Sequence, residues 1–116
     1  MGEDNTSLGS IHISPAAVAT IAYHATLESY GVVGLAPRNL VEGLAITRVP
    51  AKGVAVRFDG EHLDIDIHIM VAYGVRISSV AESVANTVRF HVERSLGLPV
   101  RNIDVHVAGL KLNENA

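Results

Sequence analysis

The stretch that most constrains this chain is residues 62–71, where Leu63, Ile65, Ile67, Ile69 and Val71 alternate with His62, Asp64, Asp66, His68 and Met70. Successive side chains on a strand point to opposite faces, so the run places five aliphatic groups on one face and the polar set on the other. A strand of this kind buries one face against a core and leaves the other wet. The apolar layer over it must come from the rest of the 116 residues. That length argues for one domain, and such a chain buries roughly two thirds of its unfolded surface without covalent staples.

Two helices are predicted to supply the layer. Ser14-Pro15 is a helix start, with a capping hydroxyl and proline at the first helical position. This helix is expected to run to about Tyr30, with Gly31 taking the left-handed turn after it and Val18, Ile21, Ala22 and Ala25 facing inward. Ser79-Val-Ala-Glu82 has capping-box spacing and is expected to open the second helix, lined by Val80, Val84, Val88, Val92 and Leu96 and ended by Gly97 and Pro99. On this reading Ser78 and Ser79 are capping groups.

Further strands are expected at 10–14, at 53–58 ahead of the Asp59-Gly60 turn, and from Asn102 to about Ala108, where Ile103, Val105 and Val107 face inward and Asp104 and His106 outward. Val32-Val-Gly-Leu35 is too short to classify, and 36–52 is punctuated by Pro37, Gly43 and Pro50. The expected fold is α+β: a two-layer sandwich of two helices on one face of a mixed or antiparallel sheet of about four strands, in β-α-β-β-α-β order. The expected organisation is a disordered N-terminal tail over 1–9, a single α/β domain over 10–110 and a C-terminal tail over 111–116.

Composition removes several classes of function. With no cysteine, the chain has no disulfide framework, thiolate metal site or cysteine nucleophile. A net charge of −3 has the wrong sign for an electrostatic grip on phosphate backbones. No apolar run approaches the ~20 residues of a membrane span, and the acidic N-terminus is neither a signal nor a transit peptide. There is no Gly-rich phosphate loop, His-Glu-x-x-His pair or Gly-x-Ser-x-Gly elbow, so neither catalytic residues nor a cofactor are expected.

Six histidines remain as the groups suited to metal ligation or acid–base work. His12, His62, His68 and His106 fall in the polar register of their strands, beside Asp64, Asp66 and Asp104. These residues form one candidate metal or small-ligand face. Residues two apart on a strand lie about 6–7 Å apart, which disfavours chelation of one ion by flat-strand neighbours. A solvated sheet face accounts for the same pattern, and a pH-sensitive protein contact is a third use of it. His24 and His91 lie off the inner helical stripes, as surface histidines do. Gly31-x-x-Gly34 has the spacing of a KH-type nucleic-acid loop, but no Lys or Arg flanks it.

Other residues point to protein contacts. Tyr23, Leu27 and Tyr30 form a second apolar stripe on the first helix, which residues 36–50 are placed to cover or a partner to occupy. Phe90 lies across the second helix from its valines, among Ser83, Asn86 and Glu93. Large apolar groups on outward faces mark candidate interfaces.

Gly9-x-Ile11-x-Ile13-Ser14, Val18, Ile21-Ala22 and Glu28-x-x-Gly31-Val32-x-Gly34 resemble the opening of the alkaline shock protein family of bacterial envelope stress proteins. Lys52-Gly53-Val54-x-Val56, the Ile/Asp strand, Tyr73-Gly74-x-x-Ile77, Val84-x-x-x-Val88, Gly97-Leu98 and Ile103-x-Val105-x-Val107-x-Gly109 continue the resemblance to Leu110. It implies a small cytoplasmic, non-enzymatic protein that self-assembles or is held at the membrane by a separate anchored partner. It also implies a link to kinases of the dihydroxyacetone or fatty-acid type, beside which some members are encoded. Ala85 stands where the family often has Gln, and 36–51 follows no family pattern.

Overall fold

In the computed structural model, described over residues 13–36, 53–58 and 60–112, the alternating run becomes strand β3, Leu63–Ala72. Three strands flank it. β1 (Val32–Leu35) pairs antiparallel with residues 69–71, and β2 (Val54–Phe58) antiparallel with residues 63–67. β4 (Asn102–Lys111) runs parallel to β3 along residues 64–72. Because β4 takes one edge of β3 almost end to end, β1 and β2 follow one another along the other. The parallel pairing follows from connectivity, since a helix crosses between β3 and β4 and returns the chain to its starting end.

That helix is α2 (Ile77–Leu96), and it shares the layer above the sheet with α1 (Pro15–Leu27). The predicted stripes meet the sheet as expected. Val80, Val84, Val88 and Val92 of α2 are buried, as are Val18, Ala22 and Ala25 of α1, joined by Ala19 and Thr26. Ile21 is only half-buried. Beneath them Leu63, Ile65, Ile67, Ile69 and Val71 are all closed to solvent. Each such aliphatic side chain stabilises the fold by about 1.5–3 kcal/mol relative to exposure, before the entropy of ordering it is counted.

Four boundaries differ from expectation. α1 ends at Leu27 rather than near Tyr30. The Thr26 and Ser29 hydroxyls donate to the carbonyl oxygens of Ala22 and Ala25, and the chain turns over 28–31. Gly31 does take the left-handed conformation, with φ of 88°. α2 starts three residues early, at Ile77, with Arg76 in place of Ser79 as its N-cap and no side-chain capping bond. Ser78 and Ser79 therefore lie within the first turn, and the Ser79–Glu82 capping box does not form. The tight turn after β3, closed by the Val75 amide on the Ala72 carbonyl, sets the helix start instead.

The other two differences concern strands. Ile13 and Ser14 precede α1 without strand structure, while 10–12 lie outside the described residues. The order among described residues is α-β-β-β-α-β, and Val32–Leu35, left unclassified from the sequence, is its first strand. β4 continues past Ala108, where the ladder slips by one residue, and runs to Lys111, inside the span expected as a tail. The expected tail over 1–9, residues 37–52 and 113–116 lie outside the described residues. Among the described residues no helix is long and apolar enough to cross a membrane.

Candidate interaction surfaces

The sheet face away from the helices carries the candidate polar residues in rows set by strand register. Arg57, Asp64 and Asn102 stand abreast on β2, β3 and β4; Ala55, Asp66 and Asp104 form the next row; His68 and His106 follow. Arg101 donates from Nε to Asp64 Oδ1 at 3.1 Å and from Nη2 to Oδ2 at 2.6 Å, and Asn102 Nδ2 adds a longer bond at 3.4 Å. The hydrogen bonds from Arg101 hold the Asp64 carboxyl below its usual range, against the opposing effect of burial. Arg57 donates to Asp66 Oδ2 at 2.9 Å, and this bond raises the guanidinium pKa further.

This face is less wet than the alternation suggested. Asp64 and His68 are each only 8% exposed. Arg101 and Asn102 bond over Asp64, and the His106 ring stacks on that of His68 with centroids 4.5 Å apart and planes 15° from parallel. His106 Nε2 also lies 3.8 Å from Asp66 Oδ1. His62 is exposed ahead of β3, and His12 lies outside the described residues.

The arrangement gives little purchase to a metal. Imidazole lone pairs lie in the ring plane, and two nearly parallel stacked rings cannot direct both toward one ion. Asp64 and Asp66 are already engaged by arginines. Among the described residues no group of three or more His, Asp or Glu side chains is gathered as a cation would require. The nucleic-acid alternative fares no better, because Gly31 lies in the turn after α1 while Gly34 is within β1, opposite Met70. The Gly-x-x-Gly step is therefore a strand entry and not an exposed loop.

The apolar candidates divide. Tyr23 is half-buried against the core, with its ring edge-on to His24 at 5.5 Å. Leu27, Tyr30 and Phe90 are exposed, Tyr30 at 80% and Phe90 at 56%. Phe90 has the His91 ring edge-on at 5.5 Å and the Arg94 guanidinium 5.7 Å from its centroid. Glu28 Oε1 lies 3.8 Å from His91 Nε2, tying the chain just after α1 to the flank of α2 beside Phe90. His24 is exposed and His91 half-buried.

A second apolar group joins Tyr30 to Tyr73 and Leu112, two residues that the sequence reading did not single out. The Ala72 amide donates to the Gly31 carbonyl and the Tyr73 amide to that of Lys111, at 2.9 Å each. These bonds set residues 30–31, 72–73 and 111–112 side by side at one end of the sheet. Tyr30, Tyr73 and Leu112 there are all exposed. The signal was the alternation of Val107 through Lys111, hidden by the extra residue at Ala108.

Comparison with known proteins places the chain among bacterial relatives. The model of the alkaline shock protein 23 family, described by its cell envelope-related function, matches residues 3–112. Uncharacterized protein YloU of Bacillus subtilis is 36% identical over 115 residues, covering 95% of each chain. Uncharacterized protein Spy1614 of Streptococcus pyogenes is 31% identical over 112 residues, covering 93% of each. Among solved structures, a variant of the MamM CTD aligns with a TM-score of 0.49 at 18% identity, covering 84% of this chain and 94% of that one. Nothing about ligands or assembly of this chain follows from that last likeness.

Proposed function

Because the chain belongs to the alkaline shock protein 23 family, with its cell envelope-related function, we propose that it is a non-catalytic interaction module that self-associates and binds a protein partner. The observation that carries this reading is the set of large apolar side chains left in solvent, Leu27 and Phe90 on the helices and Tyr30 in the turn after α1. In a chain with only two Phe, three Tyr and no Trp, leaving Tyr30, Tyr73 and Phe90 outside is costly unless something covers them. The polar chemistry supports a structural role as well, since Asp64 and Asp66 are engaged by Arg101 and Arg57.

On this reading the protein works in the cytoplasm, held peripherally at the inner face of the membrane through its partner. A membrane-anchored protein and a kinase of the dihydroxyacetone or fatty-acid type are the first baits to try. Sedimentation across a wide concentration range tests self-association, and affinity capture from the native host tests partnership. Oligomers that weaken on Leu27→Asp or Phe90→Asp, with the fold retained, support the proposal. A strict monomer at high concentration, with neither bait retained, overturns it.

A further inference from the structure

β4 is a ten-residue edge strand without proline, and its second edge pairs with no strand among the described residues. His68 turns its amide to Gly53 and its carbonyl to Ala36, on the β1 and β2 side, so Leu63, Ile65, Ile67 and Ile69 turn their main-chain groups toward β4. In the parallel register Asn102, Asp104 and His106 are the β4 residues that turn toward β3. The main-chain groups of Ile103, Val105 and Val107 then turn outward, in the arrangement that templates an added strand. The helix-side residues of β4 have area left to cover. Ile103, Val105 and Val107 are half-buried, whereas their β3 neighbours Ile65, Ile67 and Ile69 are fully buried.

We infer that this edge binds a second copy of the same chain, β4 against β4, antiparallel and centred on Val105. The inference rests on the self-association reading and assigns it a seam distinct from the exposed helical side chains. Charge selects the register. Centred on Val105, the two-fold axis sets Asp104 opposite His106 of the second copy and His106 opposite its Asp104. The apolar face then pairs Ile103 with Val107 of the second copy and Val105 with itself. Shifting the axis to Asp104 opposes two aspartates, and like charges directly across a ladder are destabilising; shifting it to His106 opposes two imidazoles and forfeits both Asp–His contacts. The chosen register also uses residues 102–108, the stretch that ends at the slip beside Ala108. Both sheets keep their helices on the same side and become one continuous sheet.

The absence of cysteine makes the seam directly testable. Val105 forms a hydrogen-bonded pair across the axis, where Cα atoms lie about 5.5 Å apart, within the reach of a disulfide. Under mild oxidation Val105→Cys should convert most of the protein to a linked dimer on a non-reducing gel. Ile103→Cys and Val107→Cys should each remain unlinked alone and link when mixed. Val105→Cys is a conservative change, and its melting curve checks that the fold survives. Faster linking through Asp104→Cys or His106→Cys overturns the register. Dimers in sedimentation that Val105→Cys does not link overturn the seam while leaving self-association intact. A monomer at every concentration overturns both.

Discussion

Arg101 holds the carboxylate of Asp64 in a two-pronged grip, Nε to Oδ1 at 3.1 Å and Nη2 to Oδ2 at 2.6 Å, and so ties the start of β4 to the start of β3. The pair lowers the Asp64 pKa from the ordinary 3.8. A depressed carboxylate contributes stability that is fully present above its unfolded value and lost as pH falls through the folded one. The urea midpoint of the wild type should therefore exceed that of Asp64→Asn at pH 7, with the gap closing as pH falls below about 4. A gap that stays constant through that fall would show that the pair does not carry the difference.

Gly31 is under two constraints at once. Its φ is 88°, and a β-carbon there would lie 2.6 Å from Val80 Cγ2. Gly31→Ala should cost about 1–3 kcal/mol, combining left-handed strain with the clash. In a Val80→Ala background, where the obstacle is trimmed, Gly31→Ala should cost only the strain, so the two changes should be non-additive in a double-mutant cycle. Additive costs would mean that the turn shifts freely away from α2.

Where the pattern is long, the fold was legible from the sequence. Five alternating aliphatics and four valines spaced every four residues determine which faces meet, because burial of a whole stripe outweighs local preference. Short or competing signals were not legible. Val32–Leu35 becomes a strand only because β3 offers an edge beyond the end of β2, which no four-residue pattern reveals. The polar face of β3 was legible as a face. Its dryness at Asp64 and His68 was not, since it depends on Arg101 and His106 arriving from a strand nearly forty residues later in the chain.

The two serine caps expected from sequence now separate into one real and one not. Ser14 accepts from the Ala16 amide at 3.1 Å, whereas Ser79 lies inside α2, which starts at Ile77. Ser14→Ala should lower stability by about 0.5–2 kcal/mol. Ser79→Ala should fall within about 0.5 kcal/mol of the wild type, as exposed positions away from special features do. Chemical denaturation of both variants decides this, and a larger loss at Ser79 would restore the capping box.

The stacked pair His68–His106 makes an equally direct prediction about metals. Ring planes 15° from parallel direct their lone pairs along separate lines, and the nearest carboxylate, Asp66, is bonded by Arg57. A zinc or nickel ion at this face would have to break the stack and compete with a guanidinium before gaining its ligands. Added zinc, nickel or manganese at neutral pH should therefore leave the melting temperature unchanged and give a flat calorimetric titration. A ligand held by the native state alone would raise stability by about 2.7 kcal/mol at a hundredfold excess over its Kd, so a binding site would be hard to miss. Saturation at one ion per chain, abolished by His68→Ala, would show that the imidazoles rearrange into a metal site and that the stack is only their resting state.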